Sequence, residues 1–181
     1  MYFLRCIIYM AALGILCFPA GRLLARISFR ADKKPFCPFE FEKNGKFYET
    51  LKIKSWQNKT PDVSRMFSKI VPRKSLETAP LTTERLGVMI NETCVAEITH
   101  FILSILGIAL IFLWPGAGGI ILFLVYVLLG NLPFIMIQRY NRPRLCKLRR
   151  ALEAKEKRNA KPKETQQSNA DTLNSSSDGE A

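Results

Sequence analysis

The stretch from Phe101 to Ile137, FILSILGIALIFLWPGAGGIILFLVYVLLGNLPFIMI, carries no charged side chain. An uncharged apolar run of about 18 residues or more is a candidate membrane helix, and this one is long enough for two crossings. Near its middle, Trp114-Pro115-Gly116-Ala117-Gly118-Gly119 breaks the helix, because proline lacks an amide donor and glycine costs backbone entropy. The sequence therefore predicts a helical hairpin, roughly Ala96–Leu113 and Ile120–Ile137. A third apolar segment runs from Cys6 to Gly21. It covers only about 24 Å of a ~30 Å hydrocarbon core, and snorkelling of Arg5 and Arg22 extends it. A cleaved signal peptide competes with this reading, but Phe18-Pro19-Ala20-Gly21-Arg22 makes a poor cleavage site, so an uncleaved anchor is preferred.

Charge sets the orientation. The 181 residues hold 27 Lys plus Arg against 15 Asp plus Glu, for a net charge of +12. Arg22, Arg26, Arg30, Lys33 and Lys34 follow the first segment, Arg139 to Arg150 follow the last, and the Trp114–Gly119 turn is uncharged. The positive-inside rule then places the N-terminus outside, the intervening segment and the C-terminus in the cytosol, and the protein in the cell membrane as a multi-pass chain. Because the cations hug membrane boundaries, anionic lipid accounts for them better than nucleic acid, which is not expected as a partner. The five cysteines form no C-x-x-C pair and read as ordinary thiols.

The expected fold class is mainly α and integral to the membrane, with about three transmembrane helices, a small cytosolic β-hairpin and interfacial amphipathic helices. Residues 1–28 form the anchor, 29–92 a cytosolic or interfacial segment, 93–138 the transmembrane hairpin, 139–160 a basic juxtamembrane helix and 161–181 a disordered tail poor in apolar residues. The β-hairpin, near 39–56, is read from the alternation of Phe39-Glu40-Phe41-Glu42 and Phe47-Tyr48 around Asn44-Gly45, with Leu51, Ile53 and Ser55 continuing the second strand. The aromatic pair is expected to close over the membrane face beside the site. Val63, Met66, Phe67 and Ile70 share a helix face after Asp62 and predict a short helix that either lies in the membrane interface or packs on the protein's own hairpin.

The polar residues that bear on chemistry lie at the two ends of the hairpin. Thr93, Glu97 and His100, the sole histidine, fall on one helix face just before the charge-free run. Asn131, Gln138, Arg139, Asn141, Arg142 and Arg144 close the third span. Folding the hairpin brings both sets to one depth, and ionisable groups at a membrane edge point toward a protein interior or polar cavity. A lone histidine is often only a hydrogen-bonded interface residue, but the conjunction favours chemistry. His100, with its tautomer held by Glu97, is the candidate base. The arginines are candidates to bind the phosphates of an acyl donor, and Asn131 or Gln138 to donate to an oxyanion. Thr93 and Asn141 complete the expected substrate contacts. A metal reading fails on ligand number, since Glu97-x-x-His100 is half of a carboxylate-bridged site and the second histidine does not exist.

These residues carry a resemblance. Phe41-Glu42-Lys43-Asn44-Gly45-Lys46-Phe47-Tyr48, Trp56, Lys59-Thr60-Pro61-Asp62, Glu92-Thr93, Ala96-Glu97-x-x-His100, Asn131-x-Pro133 and Gln138-Arg139-Tyr140-Asn141-Arg142-Pro143-Arg144-Leu145 together resemble the glycosyl-4,4'-diaponeurosporenoate acyltransferase family, from about Phe39 to Leu152. The resemblance implies esterification of the glucose 6-hydroxyl of a glycosylated C30 carotenoid acid by a fatty acyl group, the closing step of staphyloxanthin-type pigment synthesis. It implies no cofactor beyond an acyl thioester as donor substrate, with a membrane glycolipid or glycosyl carotenoid as acceptor. The role assignments above come from the residues rather than from the family. A non-catalytic scaffold at the inner leaflet is the alternative reading.

Overall fold

Three helices in the computed structural model, which describes residues 1–57 and 81–177, are long and apolar enough to cross a membrane. The first is α1, Tyr2–Leu24. The short helices α2 (Lys46–Thr50) and α3 (Ile53–Trp56) follow. The second candidate span joins α4 (Thr83–Leu106) to α5 (Ala109–Leu113). The third runs from α6 (Ala117–Val125) through a π-helical turn at Tyr126–Asn131 into α7 (Leu132–Ser177). Such helices satisfy their backbone groups internally, which a bilayer demands. Their outer faces leave Ile15, Phe101, Phe112, Ile121 and Leu129 exposed, as a lipid solvent permits.

Thr82 starts α4: its backbone is extended and its side chain accepts from the Arg85 amide at 3.2 Å. The second helix thus begins well before the expected Ala96, and Thr93, Glu97 and His100 all ride on it. The hairpin turn closes on glycine. A Cβ on Gly119 would lie 2.1 Å from the Trp114 carbonyl oxygen and 2.9 Å from that of Leu110, so only glycine lets α6 start against the end of α5.

The first span runs antiparallel to the second. At one end Phe3 meets Trp114 edge-on with centroids 6.0 Å apart, and the Tyr9 hydroxyl donates to the Leu106 carbonyl at 2.9 Å. At the other, Asn91 on α4 takes the Phe29 amide on Oδ1 (2.8 Å) and gives Nδ2 hydrogens to the carbonyls of Ile27 (3.0 Å) and Ala25 (3.3 Å). One side chain therefore pins the chain as it leaves α1.

The expected β-hairpin near 39–56 is not present: no strand occurs among the described residues. Instead Glu40–Gly45 is a 3₁₀ turn that leads into α2 and α3. The Asn-Gly signal correctly marks positive φ, but Lys43 (φ 45°), Asn44 (56°) and Gly45 (92°) all adopt it, and the turn joins two helical pieces. Two strands without a third to pair with are marginal in isolation. Here the segment gains more by seating Tyr48 and Ile53 against Tyr140 of α7, with Trp56, Met136 and Ile137 packed around them. Phe39, Phe41 and Phe47 remain partly exposed and pack on one another, each neighbouring pair 5.8 Å apart.

The basic helix expected at 139–160 is no separate element, because α7 runs unbroken out of the third span and through Ser177, past the expected start of the tail. The interfacial helix expected around Asp62–Ile70 lies outside the described residues.

Candidate active site

Burying a charge is costly unless a partner is buried with it. Arg139 of α7 is the hub of such a set. Its Nε donates to Glu42 Oε1 at 2.5 Å and its Nη2 to Glu42 Oε2 at 2.9 Å, a bidentate fork. Nη1 reaches Glu97 Oε1 at 2.6 Å and the Pro35 carbonyl at 3.1 Å, and Nη2 also faces the Cys37 carbonyl at 3.4 Å. Arg142, one turn on, donates to the other oxygen of Glu97, to Thr93 Oγ1 at 2.8 Å, to the Thr93 carbonyl at 3.0 Å and to the Phe36 carbonyl at 2.8 Å. The Tyr48 hydroxyl donates to Glu42. Two arginines and two carboxylates thus lock α4, α7 and the Pro35–Tyr48 segment together.

Glu42 feels two opposed effects. Burial pushes its carboxyl up, but hydrogen bonds from Arg139, Tyr48 and the Phe39 amide outweigh it and hold the group below the ordinary carboxylate range. The same contact raises the Tyr48 phenol, through burial first and the Glu42 carboxylate second. Both groups therefore keep their neutral-pH forms, and the contact is a structural lock.

The sequence-predicted residues divide accordingly. Glu97, Thr93, Arg139 and Arg142 belong to the lock, and the donors of both guanidiniums are taken up by protein oxygens. Arg144 is different. It is half-exposed, binds Glu49 at 2.5 Å and lies over the Tyr140 ring at 3.7 Å. Glu97 does not hold the histidine, because its two oxygens are committed to arginines.

The partner of His100 is Asn131, whose Oδ1 lies 3.0 Å from Nδ1. Asn131 is buried, and its Nδ2 donates to the Tyr126 carbonyl at 3.0 Å, five residues back along the π turn. That carbonyl accepts only, so the amide nitrogen must face it and the amide oxygen must face the imidazole. His100 Nδ1 therefore carries the hydrogen, and Nε2 keeps its lone pair. The ring also stacks on Phe134, with centroids 4.6 Å apart and planes 7° off parallel. A π turn is a rare insertion, frequently found at functional sites. Pro133, which lacks an amide hydrogen, stands just beyond this one.

Beside this pair, Met89, Glu92, Ala96, Gln138, Asn141 and Leu145 line a groove of about 560 Å³ between α4 and α7. Ala96 lies one helical turn before His100 on α4, and Gln138 one turn after Phe134 on α7, so the groove begins one turn along both helices from the stacked rings. Its lining mixes Glu92, Thr93, Gln138, Asn141 and Arg144 with Met89, Ala96, Leu145 and Leu148, suited to a molecule with both polar and apolar parts. Glu42, Tyr48 and Phe134 are not among the site residues that the sequence predicts, where Glu42 and Tyr48 stand only in the expected β-hairpin and the resemblance. The phenylalanine and the π turn sit inside an apolar run where no charge or period marks them.

Residues 32–151 match the family model described as glycosyl-4,4'-diaponeurosporenoate acyltransferase. Proteins of that name in Staphylococcus aureus are similar to this chain. The one in strain Newman is 36% identical over 131 residues, covering 72% of this chain and 77% of its own, and those in strains USA300 and NCTC 8325 are 35% identical over the same shares. No solved structure matches.

Proposed function

The chain belongs to the glycosyl-4,4'-diaponeurosporenoate acyltransferase family and is an acyltransferase, and from that premise we propose that it esterifies a sugar hydroxyl of a glycosylated membrane lipid with a fatty acyl group. The acceptor is a glycosyl carotenoid acid or a close isoprenoid relative, and the donor is an acyl thioester. No cofactor takes part. The reaction runs at the inner leaflet, with the N-terminus outside and α7 leaving the bilayer into the cytosol, as the basic flanks favour.

The observation that supports this reading is the Asn131 to His100 contact at 3.0 Å, which leaves the Nε2 lone pair unused one helical turn from the Ala96 end of a groove of mixed polar and apolar lining. The acceptor's sugar sits among Gln138 and Asn141, at the end of the groove nearest the candidate spans, and its polyene runs back along their apolar faces into the lipid. His100 Nε2 takes the proton of the hydroxyl as its oxygen attacks the thioester carbonyl. The Gln138 amide, which lines the groove, donates to the resulting oxyanion. Collapse breaks the C–S bond, and the proton held on Nε2 passes to the departing thiolate. Asn131, buried and bonded on both sides of its amide, acts as a positioning residue. Glu97 and the two arginines hold α4 and α7 in register.

Mass spectrometry of lipid extracts from cells with and without the gene tests the reading. An acyl increment on a glycosylated lipid, present only with the gene, is expected. Indistinguishable lipid profiles overturn it.

A further inference from the structure

We propose that a second cavity, which adjoins the groove at Arg144, binds the phosphates of the soluble thioester donor. This inference rests on the acyl-transfer reading above. The cavity, of about 910 Å³, is bounded by the Lys43–Lys46 turn and by Arg144, Lys147 and Arg150, which recur every third residue along α7. Its volume is of the order of small-molecule sites, roughly 300–1,000 Å³.

The charges are unbalanced in a specific way. Of the acidic residues on its wall, Asp32 is paired with Arg30 at 3.1 Å, and Glu49 with Lys54 at 3.2 Å and Arg144 at 2.5 Å. Arg142 is spent on Glu97. Among the described residues no carboxylate pairs with Lys43, Lys46, Lys147 or Arg150. Four cations therefore face one concavity without an ion-pair partner among the described residues, which suits a ligand bearing several phosphate charges.

Two further features separate this cavity from a patch that merely attracts anionic lipid. Its wall contains no leucine, isoleucine, valine, methionine or aromatic side chain, so it offers a lipid's acyl chains no bulky apolar side chain to pack along. The turn that carries Lys43 and Lys46 is held in three consecutive left-handed residues, and Gly45 is packed with 3.3 Å between its would-be Cβ and the Tyr140 carbonyl oxygen. Backbone strain of this kind persists where the surroundings enforce it and gathers at ligand-binding elements. Arg144 lines both this cavity and the groove, so a donor anchored by its phosphates has a path for its thioester arm toward His100.

Binding of coenzyme A to the purified full chain in nanodiscs of uncharged lipid, followed by titration calorimetry, tests the assignment without requiring turnover. The triple variant Lys43→Gln, Lys46→Gln, Lys147→Gln alters three exposed side chains and is expected to weaken binding roughly tenfold or more, with inorganic pyrophosphate competing in the wild type. The control Lys155→Gln, Lys157→Gln, Arg158→Gln removes equal charge outside the cavity and should bind as the wild type does. Equal loss in both variants, no loss in either, or absence of coenzyme A binding overturns the proposal. So does binding confined to nanodiscs containing anionic lipid, or to an acyl carrier protein. Coenzyme A binding that follows these expectations in a protein with no acyl transfer would instead count against the proposed function alone.

Discussion

Asn131 accepts from His100 Nδ1 at 3.0 Å and passes its own amide hydrogen to the Tyr126 carbonyl at 3.0 Å, so a π turn in the third span fixes the tautomer of a histidine on the second. The relationship links a backbone irregularity to a protonation state. Substituting Asn131→Leu removes the acceptor while keeping volume. A fall in kcat of about 10²-fold or more is expected, with the donor KM little changed and the pH-rate profile displaced. A proportional rise in KM at constant kcat would instead mark Asn131 as a simple substrate contact.

The arginine lock should behave as one unit. Glu97→Gln leaves Arg142 with no carboxylate and Arg139 with Glu42 alone, and Glu42→Gln leaves Arg139 with Glu97 alone, so each single change is expected to destabilise, Glu97→Gln by the larger amount, on the order of 3–5 kcal/mol. Because either change leaves Arg139 one carboxylate and the two together leave it none, the double variant should lose clearly more than the sum. Thermal unfolding in detergent measures this, and strict additivity would separate the two pairs.

The Glu42 carboxyl sits below its ordinary value, which fixes the sign of its pH effect. Its contribution to stability is fully present above the unfolded-state pKa, about 4.3, and is lost as pH falls through the depressed folded-state value. Wild-type thermal stability should therefore drop on the acid side of that range, and Glu42→Gln should show a shallower acid limb. A Glu42→Gln profile parallel to the wild type would remove Glu42 from the acid response.

Gly45 combines φ 92° with a would-be Cβ 3.3 Å from the Tyr140 carbonyl oxygen. Gly45→Ala is expected to cost about 1–2 kcal/mol through the left-handed backbone, with some further strain from the contact. Gly14, whose Cβ would meet nothing within 4 Å, provides the matched control. Equal effects of the two alanine substitutions, by thermal unfolding, would contradict the packing described here.

How far the sequence discloses this architecture depends on the range of the signal. The charge-free run and its Pro-Gly interruption reveal the hairpin because both are local, and equal depth at the hairpin's ends then brings His100 level with Asn131. Asn44-Gly45 announces positive φ, but what the turn connects is decided elsewhere: Glu42 seeks Arg139, 97 residues away, and that tether favours a 3₁₀ turn over a strand. For the same reason Glu97 reads as the partner of His100, three residues along its helix, when its actual partners are arginines on another. The π turn is invisible because every residue from Ile120 to Leu129 except Tyr126 is purely apolar, so a shifted period leaves no trace.

The account rests on His100 as the base, and the direct measurement is ester formation by the purified protein in nanodiscs, with an acyl thioester and a glycosylated lipid acceptor, followed by mass spectrometry. His100→Gln preserves approximate size and polarity and leaves the arginine lock intact, so the variant should fold with wild-type thermal stability. Its rate of ester formation should fall by about 10²–10⁴-fold. A folded His100→Gln protein that transfers acyl groups at the wild-type rate would contradict the assignment.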